Sequence, residues 1–396
     1  MISVEEALHQ VLQHASPLGR EQLDLLSAVD RVCAEDVLAR RALPAFDNSA
    51  MDGYAVQAQD GTIGRPIIGT IACGDPLDRL TLTAGQTARI MTGAPLPAGA
   101  DAVIMQEDAV TNEATVSFQR APSLGQHVRR RGSDVALGEI VLAAGQVIGA
   151  AEIAACASQG KALLSVYRRP HVAILSTGNE LVELDEEPGD DKIVNSNAYA
   201  LAAMVKEAGA IPSILGIVKD SLEDTKAALS RGLFADVILT SGGVSVGEFD
   251  YVKAALDALG YQSGFWKINM KPGKPVVFGT LHGKPVLGLP GNPASCQVSF
   301  ELFVRPLLLS LMGHPHPSRL RVQCKLYAPV SGGDRRHFVR AILGYKDGAF
   351  VATPLRKQGS GELRSLIGAN ALLDIPAKAR FNEGELVTAI PYGLDW

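Results

Sequence analysis

Apolar residues Val4, Ala7, Leu8, Val11 and Leu12 recur with a period near 3.6, the mark of one helix face. Ser3 precedes them and Glu6 follows three positions on, so a capping box starts the helix. The segment 2–30 therefore opens helically. From residue 37 to 136 the pattern changes. Short apolar runs of β-type composition at 66–71, 87–91, 102–105 and 115–118 alternate with turn residues, which predicts a small β-domain. Helical character returns over 137–168, with an Ala-rich helix at 150–158 stopped by Gly160. Residues 1–36 and 137–168 are then read as one discontinuous helical domain, with the β-domain inserted into it.

Over 169–314, strands at 171–175, 213–218, 237–240, 276–278 and 286–289 alternate with helices. One helix of about ten residues follows Asn195-Ser196-Asn197; another, at 221–230, is capped by Ser221 with Asp224 at its third position. A third spans 251–259, and a long apolar helix runs from 294 to 311. That alternation predicts a parallel α/β sheet. His314-Pro315-His316-Pro317 reads as a linker, and the β-type runs of 315–396 predict a small barrel or sandwich. The expected fold class is α/β and multi-domain.

Composition narrows the function classes. The 396 residues are 47% hydrophobic and 20% charged, a balance that supports a sizeable core and excludes a disordered chain. The formal charge is −5 and the longest basic block is Arg129-Arg130-Arg131, so nucleic-acid binding is not expected. No uninterrupted apolar run reaches membrane-spanning length, and Met1 to Gln10 carries acids rather than a signal-peptide pattern. A cytoplasmic protein is expected. Five scattered cysteines without a CxxC pair support neither a disulfide framework nor structural zinc.

Candidate chemistry sits where strands end, because ligands of parallel sheets bind beyond the carboxyl ends. Leu175 is followed by Ser176-Thr177-Gly178-Asn179-Glu180, and Leu239 by residues 240–247, TSGGVSVG. Leu289 is followed by Pro290-Gly291-Asn292-Pro293-Ala294-Ser295. Glycine-rich loops that enter helices bring backbone N–H groups close to an anion. Each loop taken alone also fits an ordinary tight turn. Between them Lys267, Lys271 and Lys274 fall within eight residues, beside Pro272 and Pro275, as compact cations for phosphate or another oxyanion. Glu180, Asp220 and Asp250 each follow a strand, and carboxylates near phosphates hold Mg²⁺. A helix cap is the plainer reading of Asp220. The β-domain adds residues 44–54, PAFDNSAMDGY, with Asp52; residues 91–97, MTGAPLP, with Thr92; and Arg129 through Asp134. The histidines form no HExxH motif.

Together these motifs resemble the molybdopterin molybdenumtransferases, the MoeA proteins and the gephyrin E-domain. PAFDNSAMDGY, MTGAPLPAG, RGSD, STGNEL, NSN, TSGGVSVG, KPGKP and GLPGNPAS occur in family order over nearly the whole chain. The resemblance implies a molybdopterin-binding-like α/β domain (169–314), the inserted β-domain (37–136), the helical linker domain and a C-terminal β-barrel (315–396). It implies a homodimer whose active cleft lies between the α/β domain of one subunit and the β-domain of its partner. The implied reaction inserts molybdate into adenylylated molybdopterin with Mg²⁺, releasing AMP. In that frame Ser241, Gly242, Gly243 and Ser245 cradle the pterin or phosphate. Lys267, Lys271, Lys274, Pro290, Pro293 and Ser295 serve the anions. Asp220 and Asp250 are metal ligands, and Glu180 belongs to the same cleft. Asp52, Thr92, Arg129 and Asp134 act from across the dimer, and Arg340 and Ser360 from the last domain. Asn179 stands where many relatives carry Asp, which removes one negative charge.

Two rivals remain at this level. One is a pterin-binding scaffold or carrier without turnover; the other is the molybdopterin adenylyltransferase that makes the preceding intermediate. The acid–lysine constellation speaks against the first, and the β-domain and barrel against the second. The adenylyltransferase and molybdoenzyme apoproteins are the partners such an enzyme would meet.

Overall fold

The computed structural model describes residues 1–112, 114–243 and 251–392. It divides into two compact units. One comprises Leu23–Ala144 and Ile148–Leu164; the other comprises Met1–Gln22, Gly145–Val147 and Ser165–Trp396.

The smaller unit is built on a mixed six-stranded sheet ordered Ala102–Met105, Gly53–Val56, Thr87–Ile90, Arg65–Ile71, Thr115–Phe118, Ala109–Thr111. Alternation along the strand Gly53–Val56 sends Ala55 into one apolar cluster and Tyr54 and Val56 into another, so both faces are covered. Gly53 is obligatory, because a Cβ there would lie 1.9 Å from the Ile104 carbonyl oxygen. Two ribbons extend this unit: Asn48–Ser49 pairs with Val128–Arg129, and Val37–Leu38 with Ile140–Leu142.

The larger unit holds the α/β sheet. Its order is Ile211–Val218, His171–Thr177, Val237–Ser241, Lys284–Leu289, Val277–Leu281, Gln262–Phe265. The first four strands are mutually parallel, and Val277–Leu281 pairs antiparallel with both of its neighbours. Val172, Ile174, Val237, Leu239, Leu287 and Leu289 face the helices Ser196–Glu207 and Pro293–Ser299. Ala173, Leu175, Ile238 and Val286 face Leu222–Gly232 and Tyr251–Ala258. Covered on both faces, these strands read as continuous apolar runs rather than alternating ones. The C-terminal strands close a five-stranded barrel: Arg336–Lys346, Ala349–Pro354, Val322–Leu326, Leu386–Pro391, Ala371–Ile375 and back to the first.

Some elements differ from the sequence expectation for identifiable reasons. The first helix is only Val4–Leu12, with the expected Ser3–Glu6 box in place; Pro17 lies beyond it and Arg20–Asp24 is a strand. The long apolar helix passes through a π-helical segment, Phe300–Val304, just ahead of Pro306. Proline has no N–H to give and crowds the preceding turn, so the ladder re-registers there. This 19-residue stretch is apolar enough to cross a membrane, yet 78% of its most apolar window is buried in the core. The strand His171–Thr177 runs two residues further than expected, which makes Ser176 and Thr177 part of the sheet edge. Gln262–Phe265 and Ala371–Ile375 are additional strands.

Candidate functional site

The parallel strands of the α/β sheet end in one cleft of about 710 Å³. That volume lies within the range of small-molecule sites. Thr177, Gly178 and Glu180 line it from the first loop, Asp220 from the second, and Ser241, Gly242 and Gly243 from the third. Pro290 to Pro293 close the far wall, and Gly361 reaches it from the barrel.

Local chemistry explains the shape. Gly242 and Gly243 both have positive φ, +90° and +64°. A Cβ on Gly242 would lie 2.6 Å from the Thr177 carbonyl oxygen; one on Gly243 would lie 2.4 Å from Val252 Cγ2. Only glycine fits this double turn. Asn197 donates both hydrogens of its amide, one to Ser241 Oγ at 3.0 Å and one to the Gly291 carbonyl at 2.7 Å. It thereby ties the third loop to the Pro290 turn. Asn195 caps the helix Ser196–Glu207 and accepts from Ser176 Oγ at 2.9 Å. That helix therefore points its N-terminus at the cleft, where its dipole favours an anion. The hydroxyl of Thr177 and the amide nitrogen of Asn195 are buried and have no hydrogen-bond partner among the described residues. Both residues line the cleft. Below Ser241 lies the Cys296 thiol, which burial pushes up to about 12, so it stays protonated and inert.

The acidic side of the cleft is organised around Glu180 and Asp220. Gly178, at φ +145°, leaves room for the Glu180 carboxylate, which sits 2.5 Å from where a Cβ would be. Asp220 accepts from the Asn179 N–H and donates its own N–H to Asn179 Oδ1, each at 3.2 Å. Among the described residues no three His, Cys, Asp or Glu side chains form a metal cage. Two carboxylates open to a cleft nevertheless fit Mg²⁺, which takes one or two carboxylates and fills its shell with water and phosphate oxygens.

The other expected residues are distributed as follows. Lys267, Lys271 and Lys274 do not line the cleft, although Pro275 of the same segment does. Met270–Lys271 instead runs parallel to Arg336 and His337 at the barrel's edge. Ser295 is buried within the helix Pro293–Ser299. Asn292 donates to Ser360 Oγ at 3.1 Å, and the Ala294 N–H to the Ser360 carbonyl at 3.0 Å, which docks the loop carrying Gly361. Arg340 is fully buried and donates to the Gly359 carbonyl at 3.1 Å, so it holds that loop from behind. Ser245 and Asp250 lie outside the described residues.

In the smaller unit Asp52 and Thr92 come together. Asp52 Oδ1 accepts both the Thr92 N–H at 2.6 Å and the Thr92 hydroxyl at 2.7 Å. Those two bonds hold its carboxyl below the ordinary range. Arg129 pairs with Asn48 across the ribbon, while Ser49 accepts from the Gly93 N–H and donates to the Ala94 carbonyl. Asp47 binds the Arg131 N–H at 2.8 Å and the Arg130 guanidinium at 2.6 Å. Asp134 follows on the next turn, its N–H donating to the Leu43 carbonyl.

Asn195 and Asn197 belong to a motif whose sequence assigns them no site role, and Asn179 stands out in sequence only as a lost negative charge. The available signal was a short run of polar residues between a strand and a helix.

Comparison with known proteins agrees with this layout. Residues 2–160 match the MoeA N-terminal region (domain I and II), 173–310 a probable molybdopterin binding domain, and 329–392 the MoeA C-terminal region (domain IV). A Haemophilus influenzae protein named molybdopterin molybdenumtransferase is 39% identical over 405 residues, covering 99% of each chain. A Mycobacterium tuberculosis protein named molybdopterin molybdenumtransferase 2 is 39% identical over 389 residues, covering 95% of this chain and 96% of that one. A crystal structure described as the molybdopterin biosynthesis MoeA protein of Pyrococcus horikosii superposes with a TM-score of 0.85 at 31% identity, covering both chains fully. With its three regions matched in order and its relatives alike from end to end, the chain belongs to the MoeA family.

Proposed function

We propose that this protein is a molybdopterin molybdenumtransferase: it inserts molybdate into adenylylated molybdopterin, forming molybdenum cofactor and releasing AMP. The observation that carries the reading is the cleft at the strand ends, where glycine-rich turns, a helix N-terminus and two carboxylates converge. The curated relatives with this activity in their names align over the same full length.

In this reading the Ser241–Gly242–Gly243 turn and the Thr177 hydroxyl hold the anionic pterin, with Ser245 continuing the loop. Asn197 keeps the two turns at a fixed spacing. Asp220 and Asp250, with Glu180 in the same cleft, would hold Mg²⁺, which when bound would supply neutralisation of phosphate charge. Lys267, Lys271 and Lys274 steer phosphate and molybdate towards the cleft. The working unit is a cytoplasmic homodimer in which Asp52, Thr92, Arg129 and Asp134 serve the reaction from across the dimer. The four-domain division given above belongs to the same reading.

The test is a single-turnover reaction of purified protein with adenylylated molybdopterin, Mg²⁺ and molybdate, following AMP. Molybdate-dependent AMP release with cofactor formation is expected. Tight binding without release would identify a carrier instead. Synthesis of the adenylylated intermediate from ATP and molybdopterin would identify an adenylyltransferase.

A further inference from the structure

We infer that Asn179 is a positioning residue for Asp220, an uncharged clamp whose side-chain oxygen fixes the Asp220 backbone and so the direction in which its carboxylate enters the cleft. This rests on the proposed reading of the cleft and extends it to a side chain outside the cleft lining.

Asn179 does not line the cleft, whereas its neighbours Gly178 and Glu180 and its partner Asp220 do. Its contacts with Asp220 are reciprocal. Its own N–H occupies Asp220 Oδ2 at 3.2 Å, and its Oδ1 takes the Asp220 N–H at 3.2 Å. One carboxylate oxygen is thus engaged from behind, which leaves the other to the cleft. The loop is anchored again where Lys192 Nζ donates to the Asn179 carbonyl at 2.6 Å. Three elements therefore meet on one residue: the end of His171–Thr177, the end of Ile211–Val218, and the segment leading into Ile193–Val194.

The chemistry of the amide matters. An aspartate at this position keeps the acceptor for the Asp220 N–H but adds a second negative charge beside Asp220. An alanine keeps the backbone N–H that meets Asp220 Oδ2 but loses the acceptor for the Asp220 N–H. Losing a hydrogen bond that positions a metal-ligating residue changes metal affinity by about 10- to 100-fold. A residue that merely stabilised the loop would lower the melting temperature in both variants and leave ion affinity alone.

Mn²⁺, the paramagnetic counterpart of Mg²⁺, tests this without turnover. Free Mn²⁺ is followed by EPR during titration of the full-length wild type, Asn179→Ala, Asn179→Asp and Asp220→Asn, with circular dichroism melting alongside. Asn179→Ala is expected to bind about tenfold more weakly. Asn179→Asp is expected to bind at least as tightly as wild type. Equal affinity of wild type and Asn179→Ala overturns the clamp and leaves the cleft reading standing. An Asn179→Asp protein that binds more weakly than wild type also overturns it, even where the alanine variant fails to fold. No Mn²⁺ binding by wild type, or binding that Asp220→Asn leaves unchanged, overturns the metal reading and the clamp with it.

Discussion

The cleft of the α/β unit and the Asp52 face of the smaller unit handle charge in opposite ways. The cleft is concave and made largely of backbone and neutral side chains: Gly242, Gly243, Thr177, Asn195 and Asn197. In the proposed reading its attraction for an anion comes from N–H groups and a helix N-terminus, whose direction is fixed by packing. The Asp52 face is exposed and carries full charges, each held by a local bond: Asp52 by Thr92, Asp47 by Arg130 and the Arg131 N–H. Shape does the work in the first region and ionisation in the second. The first should therefore fail when volume is added, the second when a proton is added.

The largest effect should come from adding one methyl group to the cleft. Gly243→Ala places a Cβ 2.4 Å from Val252 and forces alanine to φ +64°. The backbone term alone costs about 1–2 kcal/mol, and overpacking typically a further ~1–3 kcal/mol. AMP release in single turnover should fall at least a hundredfold, while Gly344→Ala, where a Cβ meets open space, stays active. Near-normal turnover in Gly243→Ala would break the claim that shape decides this region.

A smaller loss is expected from Asn197→Asp. The change is isosteric but removes both donors to Ser241 and Gly291 and sets a charge among anion-binding groups. Leaving a buried acceptor unpaired costs about 1–3 kcal/mol. Affinity for adenylylated molybdopterin, measured calorimetrically, should drop by about tenfold to a hundredfold. Unchanged affinity would show that the two turns hold their spacing without the brace.

The smallest effect tests the ionisation side. Thr92→Val removes the hydroxyl that helps keep Asp52 ionised, though not the backbone N–H. Asp52 has a depressed folded pKa, so its charged form is present above the ordinary value of about 3.9 and is lost only below it. In Thr92→Val the NMR titration of the Asp52 carboxyl should move up towards that ordinary value. Activity at neutral pH should change little, because the group stays charged there in both proteins. A titration curve that does not move would separate Thr92 from the control of Asp52.

Much of the fold was legible because burial imposes simple patterns. The Ser3–Glu6 box, the Ser221 cap and the parallel strands follow from residue type at short range. The loops Ser176 to Glu180, Thr240 to Gly243 and Pro290 to Pro293 stood out for a similar reason, since apolar strands ending in Gly, Ser, Asn and Pro have few conformations open to them. The roles within the site were less legible. Asn179 meets Asp220 41 residues away, and Asn197 meets Gly291 94 residues away. Nothing in the local pattern marks such pairs. The lysines show the converse: Lys271 stood out by composition, yet its strand pairs with the barrel, and the cleft is lined by Pro275 instead.

By itself the sequence determined the order of elements, the glycines that only a left-handed turn admits, and the family to which the motifs point. Those are consequences of side-chain size, capping and hydrophobic period, which act within a few residues. Tertiary structure alone decided which amide braces which loop, that Arg340 is buried behind the loop bearing Gly361 rather than in the cleft wall, and that Asp52 is bound to Thr92. The reason is that a hydrogen bond between distant segments exists only once the sheet has set their strand ends side by side.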